Sequence, residues 1–157
     1  MDVGHFYYIK DQYFVDFPDK HLMTNKENVS GISHDRPCFY AFQDKKTGLY
    51  WMIPISSQVK KYERIYNNKI KKYGNCDTID FGYVLGHKKA FLIQNMCPVD
   101  DTYIKNEYLD LASNPVRISK LTEKRIIKKA KKALALHRNG KHAIFPDIIN
   151  IETRLLS

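Results

Sequence analysis

An unbroken apolar run from Trp51 to Ile55 meets two serines, Ser56 and Ser57, and then a stretch whose apolar residues at 59, 62, 66, 70 and 73 recur every three or four positions. Few architectures accommodate that change of period. A strand has to stop, a helix has to start at once, and the apolar face of that helix has to fold back onto the sheet it left. Gly74 and Asn75 end the helix, and its outer face carries Lys60, Lys61, Arg64, Lys69, Lys71 and Lys72.

The flanks supply the sheet. Residues 38–44 and 49–55 predict two strands joined through Gly48, and residues 78–85 and 90–96 predict a second hairpin turning at 86–89. Residues 6–17, rich in Tyr, Phe, Ile and Val, predict a first strand, and the polar stretch 18–35 a long loop. A short helix is expected over 101–111, broken by Asn114 and Pro115, with a brief extension over 116–118. A long helix follows over 121–137, stopped by Asn139 and Gly140, and a last one over 146–156. The expected fold is α+β: a small, strongly curved antiparallel sheet with a helix inserted after the third strand and helices after the last. With no internal repeat and no linker, residues 1–157 read as a single domain.

Lys and Arg outnumber Asp and Glu by 26 to 17, for a net charge of +9, which favours a polyanionic partner, nucleic acid or an anionic membrane. No apolar run is long enough to span a bilayer, and the first residues lack the pattern of a signal peptide, so a cytoplasmic protein is expected. Cys38, Cys76 and Cys97 are odd in number and two lie in apolar strand-like runs, as reduced buried thiols do. No Cys/His spacing suits zinc, and neither a metal nor a cofactor is expected.

Chemistry concentrates at the strand-to-helix junction. Ser57 reads as an N-cap at the positive end of a helix, where an anion is stabilised, and Lys60 three residues later can reach the same anion. The plainer reading is a serine cap on a surface helix. His34, Asp35 and Arg36 lead through Pro37 into the second strand, and antiparallel pairing brings Arg36 to the same end of the sheet as Ser56. Arg36 otherwise pairs with Asp35 at the surface. A guanidinium, two hydroxyls, a lysine and a helix N-terminus at one sheet end suit cleavage of RNA by its own 2′-hydroxyl. That reaction needs a base, an acid and cations around a pentavalent phosphorane. Imidazole exchanges protons near neutral pH, so His87 and His34 are candidates for proton transfer, against a reading as exposed turn histidines. Lys61, Arg64, Lys71 and Lys72, with Lys124, Lys128, Lys131 and Lys132 on the long helix, form candidate backbone-binding stripes or simply solvated faces. Exposed members of Tyr50, Tyr62, Tyr66 and Tyr73 are candidates for stacking on bases, though the period of the last three favours the core.

The segments His34 to Phe39 and Ile53 to Ser57 resemble the Arg-Pro strand and the Pro-x-Thr/Ser-Ser turn of the MazF and Kid endoribonuclease toxins. The basic helix directly after the serines and the hairpin Gly86 to Gln94 are more similar to the ToxN, AbiQ and CptN toxins of type III toxin–antitoxin systems, CptN best matching the order of elements over nearly the whole chain. That resemblance implies an SH3-like β-barrel with added helices, and a metal-independent endoribonuclease leaving 2′,3′-cyclic phosphate and 5′-hydroxyl ends. It also implies cellular or phage mRNA as substrate. A small antitoxin RNA, a pseudoknot cut by the toxin from a repeat array, would inhibit it within a closed protein–RNA assembly. The family's strand-end hydroxyl carries over to Ser57 with Ser56 beside it, and its lysine to Lys60, although the ToxN lysine lies closer to the serine. Arg36 matches the Arg-Pro toxins, and His87 follows from the hairpin. The alternatives are a non-catalytic RNA-binding module on the same barrel and, with no helix-turn-helix spacing, a DNA-binding regulator.

Overall fold

A computed structural model describes residues Met1–Ser157. Nine strands and four α-helices follow one another as β1 (Phe6–Ile9), α1 (Asp11–Asp16), β2 (Lys26–Val29), β3 (Ile32–Asp35), β4 (Cys38–Gln43), β5 (Tyr50–Ser56), α2 (Val59–Tyr73), β6 (Asp80–Val84), β7 (His87–Phe91), β8 (Cys97–Val99), β9 (Ile104–Glu107), α3 (Lys120–Arg138) and α4 (Ile148–Leu155). Seven strands form one sheet in the order β6-β7-β5-β4-β1-β9, with β8 also on β5, and β2 and β3 pair separately. Strand β5 is the branch point: Tyr50, Trp51 and Met52 face β8, while Ile55 and Ser56 face β7. The end strands β6 and β9 do not pair, so the expected α+β class and antiparallel sheet hold, whereas the sheet does not close into a barrel.

Alternation along β1, β4 and β5, interrupted by a bulge at Ala41, sorts side chains onto two faces. Phe6, Phe39, Ala41, Trp51 and Ile53 enter one core under Ile126, Ala130, Ala133 and Leu134 of α3. Tyr7, Cys38, Tyr40 and Met52 enter another, closed by Tyr13 of α1, Phe17 and Ile151 of α4. Phe6, Phe39 and Phe91 meet at centroid distances of 5.4 to 6.1 Å, each ring fully buried and each stabilising by about 1.5–3 kcal/mol. Helix α2 places Tyr62 on a third cluster with Cys76, Ile79, Ala90 and Leu92. Its end is as expected, with Gly74 in the left-handed region at φ 80 and its N–H returned to the Ile70 carbonyl. The three cysteines are free and buried, and burial pushes the Cys97 thiol up to about 12. No helix is long and apolar enough to cross a membrane.

Four expectations change. The strand expected over 6–17 stops at Ile9, because 13, 14 and 17 are spaced for a helix whose Tyr13 hydroxyl donates to the Pro98 carbonyl at 2.8 Å. The loop over 18–35 contains the β2–β3 hairpin, turned by Ser30 and Gly31 at φ 52 and 79, the paired positive φ of a two-residue hairpin turn. Helix α2 therefore follows the fifth strand. The second hairpin turns two residues early, at Leu85 and Gly86 with φ 51 and 80, so His87, Lys88 and Lys89 are strand residues. The helix expected over 101–111 is one 3-10 turn followed by β9, which pairs with β1.

Candidate active site

Pairing of Cys38 with Pro54 sets Arg36 beside the end of β5, where the sequence placed it. The guanidinium is nevertheless turned inward. Its Nε donates to the Thr24 carbonyl at 2.8 Å, and its Nη1 donates to the Ile55 carbonyl at 2.7 Å and to Glu27 Oε2 at 3.1 Å. The Ser56 hydroxyl donates to the same Oε2 at 3.1 Å, and the Ser57 N–H donates to both Glu27 oxygens at 3.0 and 3.2 Å. In place of the helix-terminus phosphate seat expected from sequence, these donors form a nest for the carboxylate of Glu27, carried in by β2. Burial opposes that charge, but the Ser57 N–H, Arg36 and the Ser56 hydroxyl outweigh it and hold the carboxyl below its usual range.

Ser57 is consequently not the helix cap. Gln58 takes the N-cap position without a side-chain bond, and the Ser56 Oγ accepts from the Gln58 N–H at 3.1 Å. With its own N–H held by Glu27, Ser57 turns its hydroxyl toward β7, where the Ser56–Ala90 register brings Lys89 alongside. Lys89 Nζ donates to Ser57 Oγ at 2.5 Å. Lys60, expected in that role, is exposed on the first turn of α2 and does not line the cavity beside Ser57.

That cavity, of about 550 Å³, is lined by Glu27, Arg36, Ser57 and Lys89 and by the two candidate histidines, His34 and His87. His34 stands directly across from Glu27 in the β2–β3 ladder, and His87 opens β7, two residues before Lys89, on the same face of the strand. Tyr8 and Tyr108 complete one aromatic region of the wall. A hydroxyl that accepts from an ammonium remains free to donate its own proton to a phosphoryl oxygen, and two imidazoles in the same cavity can exchange protons. Glu27, Lys89, Tyr8 and Tyr108 were not found from sequence. The Ser30-Gly31 turn dipeptide was the missed signal for Glu27, and Lys89 required the correct hairpin register.

The basic stripes are exposed in part as expected. Lys61, Arg64, Lys71 and Lys72 lie on the outside of α2, and Lys124, Lys128, Lys131 and Lys132 on the outside of α3. Lys132 is tied to Asp77 at 2.8 Å, whereas Lys124 and Lys128 form no ion pair. Arg125 and Lys129 are spent on the buried Asp80, at 2.8 and 3.2 Å. Of the tyrosines, Tyr62 is buried, Tyr50 and Tyr66 are half-buried and Tyr73 is 64% exposed. A separate group, Asp2, His5 and Glu107, has metal-ligand spacing, but the two ring nitrogens of His5 already face Glu107 at 2.9 Å and Arg117 at 3.1 Å. An arginine in that position repels a cation.

No family model and no curated protein matches the sequence. The fold, by contrast, is that of known structures. AbiQ, a lactococcal anti-phage endoribonuclease belonging to the type III toxin–antitoxin system, superimposes with a TM-score of 0.71 at 16% identity, covering 98% of this chain and 96% of its own. A protein of a bacterial antiviral system regulated by a processed non-coding RNA superimposes with a TM-score of 0.66 at 15% identity, covering 96% of each chain.

Proposed function

We propose that this chain is an endoribonuclease toxin of a type III toxin–antitoxin system, cutting RNA by attack of a 2′-hydroxyl on the adjacent phosphate without a metal. The observation that carries the reading is the Ser57–Lys89 pair in a cavity that also holds two histidines, on a fold shared with AbiQ along nearly the whole chain.

In this reading the scissile phosphate rests on the Ser57 hydroxyl and the Lys89 ammonium, which stabilise the phosphorane. Donors of this kind are each worth about 10²–10³ in rate. One of His34 and His87 takes the 2′-hydroxyl proton as the new O–P bond forms, and the other protonates the departing 5′-oxygen as the old bond breaks. The products are a 2′,3′-cyclic phosphate and a 5′-hydroxyl. Each proton transfer contributes about 10²–10⁴. Ser56 and Arg36 act through Glu27, keeping the junction rigid, and do not touch the phosphate. Lys60 has no part in the chemistry.

The curved sheet, an open form of an SH3-like framework, presents α2 and α3 to the RNA backbone through Lys61, Arg64, Lys71, Lys72, Lys124, Lys128, Lys131 and Lys132. In the cytoplasm the substrate is cellular or phage mRNA. The inhibitor is a small antitoxin RNA, a pseudoknot repeat processed by the enzyme and retained in a hetero-oligomeric protein–RNA assembly.

Purified protein incubated with single-stranded RNA in EDTA, beside Ser57→Ala, tests the reading. Cleavage by the wild type alone, with 5′-hydroxyl ends, is the expected result. One observation favours a non-catalytic RNA-binding module instead: Glu27 already occupies donors that would otherwise hold a phosphate. Intact RNA, bound with an affinity that falls steeply with salt after any co-purified RNA has been stripped, would establish that module.

A further inference from the structure

The cavity is larger than a phosphate requires, and its remaining wall is aromatic. At about 550 Å³ it falls within the roughly 300–1,000 Å³ of pockets that enclose a whole small ligand. Tyr8 shares a face of β1 with Phe6, and a one-residue bulge in β9 falls opposite Tyr8, between the Tyr7–Glu107 and Ile9–Ile104 pairs. The Tyr108 ring stands edge-on to Phe6 at 6.3 Å and to Tyr8 at 5.7 Å, so the tyrosines extend an aromatic column from the buried core into the cavity. Both remain half-buried there, and neither phenol has a hydrogen-bond partner within the protein. Burial raises the pKa of the Tyr8 phenol to about 12, which keeps it neutral and able to donate.

Rigid aromatic faces beside a phosphate-holding hydroxyl and ammonium match a nucleotide whose base has left its stack. We propose that Tyr8 and Tyr108 form the seat of one unpaired nucleobase, next to the phosphate on Ser57 and Lys89, so that the site takes single-stranded or looped RNA and rejects duplex. The placement of that phosphate rests on the function proposed above, whereas the seat itself rests on the aromatic column.

The test is binding, independent of cleavage. Labelled oligoribonucleotides protected by 2′-O-methyl groups, each with one abasic residue at a successive position, are titrated by fluorescence anisotropy against the wild type, Tyr8→Leu, Tyr8→Phe and Tyr108→Leu. In the wild type one abasic position should weaken binding by about 5- to 150-fold, the range of base–aromatic stacking, and the perfect duplex should bind more weakly than the single strand. Tyr8→Leu or Tyr108→Leu should lose affinity for the intact strand and become indifferent to that abasic position, while Tyr8→Phe keeps the dependence. A wild type that binds every abasic strand alike overturns the seat without any variant, as does a folded leucine variant that stays fully position-dependent. Cleavage of unmodified RNA is followed in parallel. Scission without base dependence removes the seat and leaves the nuclease, whereas base-dependent binding without scission keeps the seat and removes the nuclease.

Discussion

Glu27→Gln removes one negative charge from the middle of the junction at nearly constant shape. Both sides of the pair are sequestered, Arg36 at 6% and Glu27 at 13% side-chain exposure, so water compensates little. Three groups donate to the carboxylate, and hydrogen bonds to a charged group contribute about 1.5–3 kcal/mol each, though not additively. Breaking a buried ion pair costs about 3–5 kcal/mol, and Arg36 keeps two carbonyl acceptors, so a loss of about 2–4 kcal/mol is expected. For a chain of this size that lowers Tm by roughly 5–15 °C. Because the folded carboxyl is held below its ordinary value of 4.5, its stabilisation is complete above that value and disappears as pH falls through the lower folded value. The gap between wild type and variant, measured by thermal melts from about pH 7 down to about pH 3, should therefore be widest near neutrality and close in acid. A variant within about 0.5 kcal/mol of wild type at neutral pH, or a gap that persists in acid, would refute the argument that Glu27 is an anion bound in a nest.

Lys89→Met should lower RNA cleavage by about 10²–10³ while Lys60→Met leaves it near wild type, as single-turnover rates on one RNA would show. Asp80→Asn strips the partner from Arg125 and Lys129, and a loss of about 1–3 kcal/mol is expected, read as a lower urea midpoint with unchanged slope; the half-exposed Arg125 keeps it below a fully buried pair. Gly4→Ala places a Cβ at φ 87 about 2.0 Å from Glu123 Oε1, displacing that carboxylate from Arg117, and should cost about 1–3 kcal/mol in the same titration.

Local patterns in the chain were sufficient for the two longest helices and for the β4–β5 hairpin. Helix α2 begins and ends where its apolar spacing and Gly74 put it, α3 and the β4–β5 hairpin are displaced by no more than a residue or two, and Ser57, Arg36, His34 and His87 do meet in one cavity. Those outcomes follow because helical and strand periods, and the alignment of a hairpin, are carried by neighbouring residues. The tertiary structure alone decided which polar groups satisfy one another. Arg36 and Ser56 bind Glu27, brought back across 29 positions by a hairpin whose strands are largely exposed and carry no apolar signature. Lys89 displaced Lys60 because a turn two residues earlier than expected moved three residues into a strand, and a one-residue change of register reverses every side chain. The column from Phe6 through Tyr108 to Tyr8 joins the first strand of the chain to the residue that follows its ninth, a contact that no local period encodes.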